Sequence, residues 1–405
     1  MPLMQGITRR SATGRPTSVA TWRTCLLGVA ACVTQAGSAG SADFDAELEV
    51  SAYADTDHVA VLTPALTGTL ADAASGTSAT GGYVLDIVSG ASVDIVSTAS
   101  ERWLEVRQAA ELSVDHKDAD WGVSPSVSVS REPDYLSWSL GAAARIELDE
   151  KHVTPSVGYT LSHDTAGRRG TPYSVYSLQL TRHTAQAGVE LVLNRSSRLV
   201  LLGEGTLELG RQEKPYRFLP LFSQQNASLI PAGASIESVN QLRLPGRTAE
   251  RVPESRRRLA LTGDWARRGA HDTLRVNERL YADSWGLYAS STDLRWLWDA
   301  STRLTLGPRA RFHLQSSVDF WQRAYVAELA AGELQVPSLR SGDRELSALW
   351  TGSLGIGSEW RTAQAYGKGW VFGGLIELSL TQFLDALFIE QRSSALCVLT
   401  AGHVF

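Results

Sequence analysis

Residues 303–315, Arg-Leu-Thr-Leu-Gly-Pro-Arg-Ala-Arg-Phe-His-Leu-Gln, alternate from end to end. In an extended strand Leu304, Leu306, Pro308, Ala310, Phe312 and Leu314 fall on one side, and Arg303, Thr305, Gly307, Arg309, Arg311, His313 and Gln315 on the other. The second row is too basic to line a dry core. A soluble sandwich would keep that row in bulk water, whereas a transmembrane barrel sets the apolar row against lipid and the basic row in a wet lumen.

The same alternation recurs along the chain, and the polar row is usually small. Trp121, Val123, Pro125, Val127 and Val129 oppose Gly122, Ser124, Ser126, Ser128 and Ser130, a row no soluble core would bury. Leu136, Trp138, Leu140, Ala142, Ala144 and Ile146 oppose Ser137, Ser139, Gly141, Arg145 and Glu147. Trp370, Phe372, Ile376, Leu378 and Leu380 oppose Glu377, Ser379 and Thr381. A tilted strand needs about 9 to 11 residues to cross a bilayer. On that criterion strands are expected near 46–55, 58–70, 80–89, 103–115, 120–130, 135–148, 153–163, 178–194, 198–211, 257–267, 272–283, 290–298, 302–316, 346–360, 369–382 and 394–405. The expected fold is all-β, an antiparallel up-and-down transmembrane barrel of about sixteen strands, with fourteen as the alternative count.

Loop lengths test this independently, because bacterial barrels alternate short periplasmic turns with longer outer loops. Counting back from a periplasmic carboxyl terminus, the long connections 90–102, 164–177, 212–256 and 317–345 all fall on the outer side. Indoles near several strand ends suit an interfacial girdle.

No run of about 18 apolar residues follows the first thirty-odd positions, so membrane helices are excluded. The amino terminus reads as a secretory signal. Arg9, Arg10, Arg15 and Arg23 form a basic leader, 25–33 an apolar core, and 36–42 a small-residue cleavage zone. The expected division is a cleaved signal at 1–42 and one barrel domain at 43–405. The box around Cys32 offers lipidation as an alternative. Ordinary cleavage leaves Cys397 as the one thiol, which excludes an internal disulfide and a thiolate zinc site. The net charge of −5 is spread without a basic block and gives nucleic acid no electrostatic foothold.

The chain ends on Ala395, Cys397, Leu399, Ala401, His403 and Phe405 in alternation. An ending of this kind resembles the carboxy-terminal signal read by barrel-assembly machinery, with His403 an imperfect fit on the outer row. Pro64, Pro125, Pro155 and Pro308 lie inside expected strands on the lipid-facing parity, where bulges or locally opened ladders are expected. Glu278 falls on the apolar row with Leu274, Val276 and Leu280, which implies either a bulge there or a misread strand.

Asp86-Ile87-Val88-Ser89-Gly90-Ala91-Ser92-Val93-Asp94, followed by Ala99-Ser100 and Glu105-Val106-Arg107, resembles the motif region of a bacterial outer-membrane family known as domain of unknown function 3570. Lys214-Pro215-Tyr216-Arg217-Phe218 and the segment from Ser317 and Val318 through Asp319-Phe320-Trp321-Gln322-Arg323-Ala324-Tyr325 are similar to further motifs of that family. The resemblance covers nearly all of the chain after the signal. It implies a signal peptide, a β-barrel and an outer-membrane address, and it brings no activity with it.

Candidate lumen groups are Asp86, Asp94, Glu105, Arg107, Arg145, Glu147, Glu204, Glu208, Arg275, Arg279, Asp283, Arg309, Arg311, His313 and Glu377. Their mixed charges can shape a selectivity field for a charged solute, or form a ladder of salt bridges that stiffens the wall. Trp321 and Arg323 in the last long connection suit either an anionic or sugar-like ligand, or a loop pinned inward. The adjacent His163 and Asp164 point to opposite faces, no Gly-x-Ser-x-Gly elbow occurs, and the eight histidines lack metal-ligand spacing. No cofactor or metal is expected. The leading functional expectation is a narrow pore or uptake channel for a small hydrophilic solute in the outer membrane. A structural or partner-binding barrel that anchors an envelope complex is the alternative, and an outer-membrane hydrolase comes third. Expected partners are outer-membrane lipid and, through the strand ending in Phe405, the barrel-assembly machinery.

Overall fold

A computed structural model describes residues 42–89, 104–330, 333–362 and 369–404. The expected signal segment as far as residue 41, Cys32, Asp94, the connection 90–103 and Phe405 lie outside the described residues. The sixteen barrel strands, in chain order, are β1 (Ala42–Asp55), β2 (Ala60–Asp72), β3 (Thr77–Ser89), β4 (Leu104–Asp118), β5 (Trp121–Glu132), β6 (Tyr135–Ile146), β7 (Val153–Ala166), β8 (Leu178–Asn194), β9 (Ser197–Gly210), β10 (Ser255–Arg268), β11 (Asp272–Asp283), β12 (Tyr288–Asp299), β13 (Leu304–Gln315), β14 (Leu349–Arg361), β15 (Gly369–Phe383) and β16 (Gln391–Val404). Each pairs antiparallel with its neighbours in sequence order, and β16 closes on β1 through pairs such as Leu399 with Val50.

The apolar row faces outward throughout. Leu354 is 70% exposed, Leu378 62% and Leu399 60%. A surface this apolar over a whole barrel belongs in lipid. Trp121, Trp298, Trp360 and Trp370 mark the end with the short turns, and Trp138, Tyr288 and Trp350 the other, forming two aromatic belts. His403 fits this outer row because it meets Trp370 edge-on, with ring centroids 4.8 Å apart, in the wet interfacial belt.

The prolines need no bulges. Pro64, Pro125 and Pro308 each pair in register on one side, and the ladder on the other side lapses locally and resumes in the same register. Pro155 pairs with Val189, and on its other side lies beyond the last β6–β7 pair, at Ser156. The missing N–H is therefore turned to the interrupted side each time. Register also runs unbroken past Glu278, which pairs with Gly263 and Thr292 and faces lipid as the alternation has it. Neither a bulge nor a misread strand explains it. Its carboxylate instead accepts hydrogen bonds from the Ser290 and Thr292 hydroxyls at 2.6 and 2.5 Å.

The two longest outer connections are not simple loops. They fold together into a cap with two short helices, α1 (Gln224–Ala227) and α2 (Ile236–Leu242), whose N-caps are Ser223 and Ser235. Leu221 and Phe222 pair in parallel with Tyr325 and Val326, joining the two connections. Phe222, Ile230, Ala234 and Val239 make one buried cluster, and Val252, Trp285, Leu287 and Val318 another that ties the cap to the β11–β12 turn. Each fully buried large side chain contributes about 1.5–3 kcal/mol, so the cap has a small core of its own.

Candidate functional site

Parity sends the charged row of every strand inward, and register then decides which charges meet. Asp86 accepts from Arg107 Nε and from Thr63 Oγ1, both at 2.7 Å. Arg145 grips Asp115 with two contacts of 3.0 Å. Arg279 reaches Glu204 at 2.9 Å, and Arg275 reaches Asp264 at 3.1 Å. Arg309 binds Glu377 at 2.7 Å and lies 3.9 Å from Asp293. His313 bonds Ser291 and Gln315 at 2.7 and 3.2 Å. Each of these ion pairs joins strands no more than two apart, so they lie along the wall.

Two of the pairs that skip a strand cross it over glycine, whereas Arg279 crosses β10 past Thr262, to whose hydroxyl it donates at 3.3 Å. Arg145 passes above Gly122, where a Cβ would stand 3.2 Å from its guanidinium. Arg309 passes Gly355, where a Cβ would meet its Cγ at 3.3 Å and the Glu377 Cβ at 3.2 Å. Gly122 and Gly355 on the inner row are thus the bed on which these two pairs rest.

Asp283 and Glu105 stand at the ends of their strands, off the middle of the wall, and Trp321 and Arg323 stand in the cap, in the connection where they were expected. Asp283 ends β11 and organises the following turn, accepting from the N–H groups of Trp285 and Leu287 at 2.8 and 3.2 Å as well as from Arg256 Nε at 2.8 Å. Trp321 donates its indole N–H to the Asp385 carbonyl at 2.8 Å, and Arg323 donates to the Ile230 carbonyl at 3.0 Å and pairs with the Asp385 carboxylate. Both residues pin the cap to the β15–β16 turn. Glu105 stands at the outer rim, with its carboxylate oxygen within 4.8 Å of those of Glu132 and Asp134. Asp164 is held by Ser137 and Arg182 at 2.7 and 2.8 Å while His163 faces outward to Thr181, so the neighbours form no catalytic couple.

No local pattern in the chain marks the strap that crosses the mouth. Tyr216 in the first cap segment donates to Asp134 in the β5–β6 turn. Its neighbour Arg217 binds Asp343 of the second segment at 2.6 Å and lies 3.6 Å from Glu250. The next residue, Arg344, pairs with Asp57 in the β1–β2 turn, and Arg392 of β16 holds Glu345 at 2.9 Å. Burial and the Asp134 acceptor push the Tyr216 phenol up to about 12. Burial raises the Glu250 carboxyl against the pull of Arg217. Asp343 is equally buried, yet Arg217 and Lys214 hold it below the ordinary carboxylate range. One guanidinium faces two buried acids, and it draws the nearer one down while burial raises the farther.

A closed sixteen-strand barrel with lipid-facing apolar rows and a charged interior defines a bacterial outer-membrane β-barrel protein. Residues 97–378 match the family described as "Protein of unknown function (DUF3570)", and the chain belongs to that family. The three motif regions of that resemblance supply the Asp86–Arg107 pair and both halves of the cap. No curated protein matches the chain. Similar solved structures include the ferric enterobactin receptor PfeA of Pseudomonas aeruginosa, at 13% identity over 85% of this chain and 55% of that one, with a TM-score of 0.42. The siderophore receptor PirA from Acinetobacter baumannii is similar at 9% identity over 85% and 53%, TM-score 0.41. A bacterial polysaccharide outer membrane secretin is similar at 9% identity over 89% and 98%, TM-score 0.44. The chain spans about half the length of the two receptors.

Proposed function

We propose that this barrel passes a small hydrophilic solute across the outer membrane beneath a mouth covered by the cap. What carries the reading is the lumen wall: its charges are paired along neighbouring strands and its remaining inward positions are largely small or hydroxylated, as in Ser124, Ser126, Ser128 and Ser130 of β5. Such a wall offers water and solute a lining that is polar except where Leu375, Leu396 and Val398 cluster beside Tyr53. Insertion through barrel-assembly machinery reading β16 belongs to the same proposal.

Planar-bilayer recording of the refolded barrel tests it. Single-channel steps are expected, and Asp57→Asn is expected to enlarge them or lengthen their open time, because it takes the Asp57 carboxylate away from the buried Arg344. Breaking a buried pair in this way costs about 3–5 kcal/mol and loosens the strap. A folded barrel that is silent both as wild type and as the variant, and that co-purifies with periplasmic proteins, would instead favour an anchoring barrel that conducts nothing.

A further inference from the structure

The inward-facing arginines of the described wall are paired one after another. Arg107, Arg145, Arg182, Arg198, Arg258, Arg275, Arg279, Arg295 and Arg309 each have a carboxylate within ion-pair distance. Arg311 is the exception among the described residues. Its cross-strand neighbours are Asp293 on β12 and Ser353 on β14. Asp293 is already bound by Arg295 at 2.7 Å and approached by Arg309 at 3.9 Å, so this part of the wall sets three guanidiniums against Asp293 and Glu377. One positive charge is left over.

Beside Arg311 the wall carries hydroxyls. Ser353 and Ser379 are bonded to each other at 2.8 Å. Four residues up the same strand, Gln315 donates to the Glu345 and Ser347 carbonyls at 2.9 and 2.8 Å, which roots the cap on the wall. At a rise of about 3.3 Å per residue, Arg311 sits roughly 13 Å below that contact. A guanidinium with an open fork flanked by hydroxyl donors is suited to a carboxylate or phosphate group. We infer that Arg311 is the lumen's anion-recognition group, and that the solute admitted under the cap is a small organic acid or phosphate ester. The inference rests on the channel reading above.

Reversal potentials under a potassium chloride gradient test it in the wild type and in Arg311→Gln and Arg311→Lys, with Asp57→Asn as a background that loosens the cap. Among the described residues Arg311 holds no ion pair for either substitution to break, and heat-modifiable gel mobility reports that each variant is folded. Wild type and Arg311→Lys are expected to prefer chloride. Arg311→Gln is expected to lose roughly sixteenfold of that preference, because one unit charge about 5 Å from the ion path in a water-like dielectric is worth about fourfold on each ion, with opposite sign. Conductance without anion preference, or with a preference unmoved in Arg311→Gln, overturns the inference and leaves the channel standing. Folded barrels silent in every background overturn both.

Discussion

Gly355 shows how one missing side chain sets a charge pattern. Arg309 must cross β14 to reach Glu377 on β15, and the crossing is open only because position 355 has no Cβ. Gly355→Leu is therefore expected to displace the Arg309 stem and leave Glu377 unpaired on the wall, at a cost of about 2–4 kcal/mol between the overpacking and broken-pair effects. Urea unfolding in lipid vesicles checks this, and a variant as stable as wild type would show that the arginine finds another route. Glu278 illustrates the opposite case, a charge where lipid should be. A charged side chain on the lipid face costs up to about 2–4 kcal/mol at the midplane for Arg or Lys and less for an acid. Hydrogen bonds to a charged group return about 1.5–3 kcal/mol each, so the Ser290 and Thr292 hydroxyls suffice to hold it there.

At the scale of elements, the cap turns on the competition between Glu250 and Asp343 for Arg217. Glu250 binds its proton more tightly folded than unfolded, so its contribution is complete below its ordinary value of 4.5 and is lost as pH rises through the raised one. Glu345, raised by burial against Arg392, behaves the same way. Asp343 is depressed, so its contribution is present above its ordinary value of 3.8 and is lost as pH falls through the lower one. The two limbs place the cap's greatest stability at mildly acidic pH. Hydrogen exchange of the α2 amides, corrected for intrinsic rates, should show protection falling as pH rises out of the mildly acidic range, and Glu250→Gln, which mimics the protonated acid, should flatten that fall. Protection that rises with pH would contradict this assignment of the proton. The strands were legible from the chain because alternation over about ten residues fixes parity, and the long connections confirm it by falling on one side. Wall pairing was not, since Arg309 has acids within reach on both flanks and only register and Gly355 select Glu377. The cap was least legible: α1 and α2 are too short to show a helical period, and Asp57 and Arg344 are 287 residues apart.

For the whole molecule, the arrangement of connections fixes a direction through the membrane. The turns 73–76, 119–120, 147–152, 195–196, 269–271 and 300–303 share one end of the barrel, and the cap with the connections 167–177 and 384–390 occupies the other. Short turns belong to the periplasm and long loops to the exterior, so α2 is expected outside the cell and Lys151 inside the envelope. Thiol labelling of intact cells can test this orientation, since Cys397 lies on the outward row of β16 and Cys397→Ser together with Cys25→Ser and Cys32→Ser gives a clean background. In that background Glu237→Cys, exposed on α2, should react with a membrane-impermeant maleimide on whole cells. Lys151→Cys, whose native side chain is 61% exposed, should react only after the outer membrane is permeabilised. The reverse pattern would put the cap in the periplasm, and the strap from Asp134 to Asp57 would then guard the exit of the lumen instead of its entrance.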